Sequence, residues 1–156
     1  MATAPTFDLA AAHQFFSAHC FNRSWDLIEK KDRTPAEDRQ LIALAHASLW
    51  HWTEREDCLP KNLLVAYWLL SRVYSVVRQA KPAQHYASLA LTTAQSASVR
   101  PYFLGCAYEA VARAAALAGD SAVFAEASRE AREIAQSLED EGDRKMLLAD
   151  IDSIAH

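Results

Sequence analysis

The stretch Leu64 to Gln95, LVAYWLLSRVYSVVRQAKPAQHYASLALTTAQ, decides the fold class, because a helical apolar stripe lies on each side of a single break. Tyr67, Leu70, Ser71 and Tyr74 recur at i, i+3, i+4 and i+7, which sets them on one face of a helix. Lys81 and Pro82 mark the break, since proline disfavours helix for the residue before it and suits the first turn of a new one. Beyond it Ala83, Ala87, Ala90 and Leu91 form a second stripe, and small residues let helices approach closely. The stretch predicts an antiparallel helical hairpin.

The pattern extends outward in both directions. Thr6 and Asp8 suit a helix start, and the apolar residues Phe7, Leu9, Ala12, Phe16, Cys20, Trp25, Leu27 and Ile28 carry a first helix to about Lys30. Asn22, Arg23 and Ser24 either kink it or are exposed positions of an unbroken helix; the unbroken form is preferred. Thr34, Pro35 and Glu37 supply an N-cap, a first-turn proline and a capping-box glutamate for a second helix. Leu41, Ala45, Leu49 and Trp52 share one side of it, while Ala43, Ala47 and Trp50 point almost oppositely. Two apolar sides predict a helix sandwiched between neighbours, and the alternative is a Trp50 patch left open for a partner. Pro60 opens a third helix, Arg100 and Pro101 a fifth that stops at Gly119, and Asp120 or Ser121 caps a sixth. In that sixth helix Ala127, Ala131, Ile134, Ala135 and Leu138 face inward. After a turn at Glu139 to Asp143, Leu147, Leu148, Ile151 and Ile154 form a short seventh helix suited to cover an open end.

Large, large, small and aromatic residues on the first helix of the hairpin, at Tyr67, Leu70, Ser71 and Tyr74, and alanines at 83, 87 and 90 on the second, resemble the tetratricopeptide repeat (TPR). Tyr108, Val111, Ala112, Ala115, Gly119, Asp120 and Ala131 fit the same template, whereas Phe124 stands where the repeat has alanine. Tyr67 and Tyr108 lie 41 residues apart rather than the ~34 of the standard repeat, so "TPR-like" is the closer description. HASLWHW (His46 to Trp52) and YEAVARAAALAGD (Tyr108 to Asp120) are also similar to strings in a group of uncharacterised bacterial helical proteins. The resemblance implies an all-α, right-handed α-α superhelix over residues 1–156. It would have about seven helices in antiparallel hairpins, two of them at about 64–97 and 102–138, and a C-terminal capping helix.

In such a superhelix the first helices of the hairpins line a groove, which would carry Trp68, Arg72, Glu109 and Arg113. Arg72 and Arg113 occupy the same repeat position. Two aligned guanidiniums can hold carboxylates by bidentate hydrogen bonds, so the expected role is a non-catalytic scaffold for a protein or an acidic peptide segment, and Trp50 is a further candidate contact. The competing reading pairs Glu109 with Arg113 at i, i+4 on one helix.

Composition narrows the alternatives. With 51% hydrophobic and 23% charged residues, 3 Gly and 5 Pro, the chain is an ordinary globular sequence with little punctuation, which favours long helices. A net charge of −4 without a basic stripe argues against nucleic acid as partner. The longest apolar run, Leu63 to Leu70, is far short of the ~20 residues that span a bilayer. No secretory leader is apparent, and three scattered cysteines without a CxxC pair predict reduced thiols in the cytoplasm. His46 and His51 sit about 140° apart around a helix, no HExxH is present, and neither a GxSxG elbow nor a glycine-rich phosphate loop occurs. No cofactor, metal ligand set or catalytic residue is therefore expected. The rival readings are a metal-dependent helical-bundle enzyme using some of His13, His19, His46 and His85, and a module that self-associates through Trp50 or Trp68.

Overall fold

The structure, a computed structural model, describes residues 6–154. Its helices are α1 (Leu9–Ile28), α2 (Pro35–Thr53), α3 (Pro60–Val76), α4 (Ala80–Ser96), α5 (Pro101–Ala118), α6 (Ser121–Ser137) and α7 (Glu141–Asp152), and no strand occurs among the described residues. The fold is all-α.

Local chemistry sets most of the boundaries. Asp8 caps α1 through a hydrogen bond from the Ala11 N–H, and α1 runs unbroken through Asn22 to Ser24, with the Ser24 hydroxyl donating to the Cys20 carbonyl at 2.8 Å. Thr34 and Glu37 form the reciprocal capping box at α2, with Pro35 at the first helical position. Gly119 closes α5 in the left-handed region at φ 76°, and the Asp120 N–H reaches back to the Ala115 carbonyl at 2.9 Å.

The break inside the opening hairpin lies earlier than Lys81 and Pro82. α3 ends at Val76, Arg78 takes φ 63°, and the Gln79 N–H bonds the Tyr74 carbonyl at 2.8 Å. Pro82 falls inside the first turn of α4, where a missing N–H removes a donor that has no intrahelical acceptor. Similarly, Asp140 caps α7, so Glu141 to Asp143 are helical rather than turn.

α1 pairs with α2, α3 with α4, and α5 with α6; successive hairpins dock through α2 on α3, α4 on α5 and α6 on α7. The odd helices also meet in series, α1 on α3, α3 on α5 and α5 on α7, whereas the backbones of the even helices stay apart, with His46 of α2 and Tyr86 of α4 meeting through their rings at 5.7 Å. The result is an inner row of odd helices backed by an outer row of even ones. Small residues bring the rows together. Ala83 and Ala87 of α4 pack directly on Ala110 and Ala114 of α5, and Gly105 lets Leu147 of α7 come so near that a Cβ there would stand 2.4 Å from its Cδ2. Leu41, Leu69, Leu70 and Val73 fill the contact between α2 and α3 with no exposed surface, each contributing ~1.5–3 kcal/mol of burial.

The two-sided reading of α2 needs correction. Leu41, Ala45 and Ser48 are buried, but Ala43 is exposed and Trp50 is 55% exposed. α1 and α3 flank α2 over its Leu41 side, while Trp50, edge-on to His13 of α1 at 5.3 Å, is left more than half exposed as in the alternative reading.

Candidate functional site

One side chain or more from every odd helix meets at the centre of the inner row. Trp25 of α1 packs on Trp68 of α3 with ring centroids 5.6 Å apart. One α3 turn further, the Arg72 guanidinium lies 5.4 Å from the Trp68 ring and 5.9 Å from Trp25. Arg72 reaches Glu109 of α5 at 3.2 Å and Asp150 of α7 at 3.1 Å. Glu109 also accepts from Arg113 at 2.7 Å and from the Trp68 indole N–H at 3.1 Å. Arg113 then donates to the Asp150 carbonyl and the Ser153 hydroxyl, both at 2.8 Å.

Four of the residues expected to line a groove, Trp68, Arg72, Glu109 and Arg113, are thus brought together. Arg72 and Glu109 are withdrawn from open space, with side chains 9% and 1% exposed, while Arg113, 15% exposed, borders a cleft of about 290 Å³ with Arg78 and Ser153. The physical reason is α7. Asp150 supplies the carboxylate, and its backbone carbonyl the acceptor, that an acidic partner was expected to bring. The i, i+4 pairing of Glu109 with Arg113 is present within this larger cluster.

Two arginines against two carboxylates make the cluster neutral. Burial works against the charge on Arg72, but Glu109 and Asp150 outweigh it and raise its pKa. On Arg113 burial, helped by repulsion from Arg72, outweighs Glu109 and lowers the pKa. Both guanidiniums stay charged at any physiological pH. Among the described residues Arg72 Nε has no hydrogen-bond partner. At Cys106, one turn before Glu109, burial first, then the nearby carboxylates, push the thiol up to about 12, which disfavours the thiolate.

Open surface begins at the amino-terminal ends of the same inner helices. A cleft of about 270 Å³ is walled by Ala18 and Phe21 of α1, Trp52 of α2, Lys61 and Val65 of α3, and Phe103 of α5. Lys61 and Phe103 also line an adjoining cleft of about 430 Å³, together with Leu59, Val99 and Arg100. The floors are apolar and the rim is basic. Lys61 is exposed and has no ion-pair partner among the described residues, Arg100 is tied to Asp143, and neither α3 nor α5 carries an acidic residue in its first turn.

Trp50, the remaining predicted contact, lies on the α1–α2 hairpin, well apart from the buried cluster. It stands in a ring array: Trp50 to His51 at 4.7 Å, His51 to Phe16 at 5.4 Å, and Phe16 to Phe15 at 5.1 Å between centroids. Beneath it the Nδ1 atoms of His13 and His51 are 2.9 Å apart, so one donates to the other. His46 bonds the Tyr74 hydroxyl at 2.9 Å. These hydrogen bonds join neighbouring helices, and among the described residues no three His, Cys, Asp or Glu side chains group as metal ligands. None of the helices is long and apolar enough to cross a membrane.

Sequence reasoning missed Trp25, Asp150, the His13–His51 pair and the Lys61–Phe103 clefts. Asp150 had a signal: it stands at i+3 in the stripe Leu147, Ile151, Ile154, and an acid in an apolar stripe needs a buried partner. No protein-family model matches the chain, and no curated protein or solved structure is detectably similar to it.

Proposed function

We propose that the chain is a non-catalytic binding scaffold, a right-handed TPR-like superhelix that holds an acidic, partly apolar peptide segment of a partner protein. The contact face is the pair of adjoining clefts at the amino-terminal ends of α3 and α5, in place of the Arg72–Arg113 region that α7 covers. The observation that carries this reading is the shared wall of Lys61 and Phe103, a cation without an ion-pair partner among the described residues beside an apolar ring at the mouth of both clefts. An apolar side chain of the partner fits the floor and a carboxylate fits the rim. The positive ends of the α3 and α5 dipoles favour the same sign of charge.

Selection of a displayed peptide library on the purified chain tests it. Enriched segments should carry an apolar residue flanked by Asp or Glu, bind more weakly in salt, and lose about tenfold in affinity to Phe103→Ala, which is ~1.4 kcal/mol. Selection that enriches nothing, or binding indifferent to both Phe103→Ala and Lys61→Glu, overturns the proposal.

A further inference from the structure

A second surface, separate from the clefts, points to a different partner. We infer that the outer face of the α1–α2 hairpin is a self-association surface, closed by the same face of a second copy across a two-fold axis. Leu9, Phe15, Phe16 and Trp50 are 52%, 59%, 42% and 55% exposed, and three of them belong to the ring array with His51. Leu9 lies two helical turns before Phe16 on the same stripe of α1. The face is therefore continuous.

The location matters. At the carboxyl-terminal end of the stack, α7 lies on α5 and α6 and buries Leu147, Ile151 and Ile154 against them. Among the described residues no helix does this for α1 and α2, and a stack of helical hairpins leaves its end face apolar unless something covers it.

Area and charge select a second copy. Four large side chains about half exposed present roughly 400 Å² of apolar surface, whereas a stable interface takes about 800 Å² from each partner, somewhat over half of it apolar. The patch thus supplies the apolar centre of one such share. An isologous contact sets each surface against its own image, so a charged side chain near the axis meets a like charge. Leu9, Phe15, Phe16 and Trp50 carry none; the nearest charges, Asp8 beside Leu9 and Glu54, Arg55, Glu56 and Asp57, which share a cleft with Leu9, stand at the Leu9 end of the face. With the axis at Phe15, Phe16 and Trp50, away from that acidic end, two copies of −4 net charge meet without opposing ions at the centre.

Sedimentation equilibrium of the full chain from about 1 µM to 1 mM is the test. A monomer–dimer equilibrium is expected, weakened at least tenfold by Phe16→Glu and by Trp50→Glu. Val123→Glu, an equally exposed apolar position on α6, should leave it unchanged. Oxidative footprinting of the unmodified chain needs no variant: Trp50, Phe15 and Phe16 should become protected as concentration rises. A monomer throughout, a dimer that survives both glutamates, one that Val123→Glu dissolves equally, or rings equally labelled at all concentrations would each overturn the inference.

Discussion

Glu109 is a single carboxylate that accepts from Arg72, Arg113 and the Trp68 indole while almost wholly out of water. Ion pairs this deep contribute little net stability, because desolvation consumes most of the attraction, but losing one partner strands the others. Glu109→Gln should therefore lower unfolding stability by about 3 kcal/mol, read from urea denaturation; a loss under ~1 kcal/mol would mean that water reaches the guanidiniums. Arg78 presents the opposite case. Its φ of 63° is a conformation that costs an L-residue ~1–2 kcal/mol, and its exposed side chain makes no ion pair among the described residues. Arg78→Gly should raise the melting temperature, by a gain of about 1 kcal/mol less what glycine adds to unfolded-chain entropy. An unchanged or lower melting temperature would show that the arginine interacts in a way the fold does not reveal.

At the scale of paired helices, the α1–α2 contact carries a built-in pH dependence. Burial lowers the pKa of His51, the proximity of His13 lowers it further, and Glu54 pulls the other way; burial also lowers His46. A histidine whose folded pKa is depressed is protonated first in the unfolded chain, so stability is full above the ordinary histidine value of ~6.5 and declines as pH falls from there through the folded pKa. Thermal melts between pH 7.5 and 5 should show that decline, and His51→Asn should flatten it. An equal slope in the variant would assign the effect elsewhere. The His13–His51 pair also shows what a sequence leaves hidden. Thr34, Pro35, Glu37, Gly119 and Asp120 announce their boundaries because capping depends on residues within one turn. The pair depends on antiparallel register, which the hydrogen bond from the Ser48 hydroxyl to the Ser17 carbonyl at 2.7 Å reveals only once the helices are docked. Four residues back along α1 and three forward along α2 stand His13 and His51. The Glu109–Arg113 pair was legible for the converse reason, since i, i+4 spacing is a property of a single helix, whereas only the repeat register puts Arg72 near them, as lining a groove. That α7 would cover them was not legible, because nothing local in Leu147 to Ile154 says which surface it will meet.

Across the whole molecule, Arg72 and Asp150 connect the second hairpin to the last helix over α4, α5 and α6. Asp150→Asn removes the carboxylate from Arg72 while keeping the backbone acceptor used by Arg113. Native-state hydrogen exchange should then show α7 opening at distinctly lower free energy than α3 and α4, whereas in the unmodified chain they should open close together; no separation in the variant would deny the link its role. A file of hairpins coupled only to nearest neighbours frays from its ends and can lose a terminal unit at small cost. Here the Arg72–Asp150 pair fastens α3 to the last helix, so lifting α7 takes one carboxylate from Arg72 and the Asp150 carbonyl from Arg113. That fastening predicts all-or-none opening: a protease should meet either an intact fold or an unfolded chain, with little in between to nick.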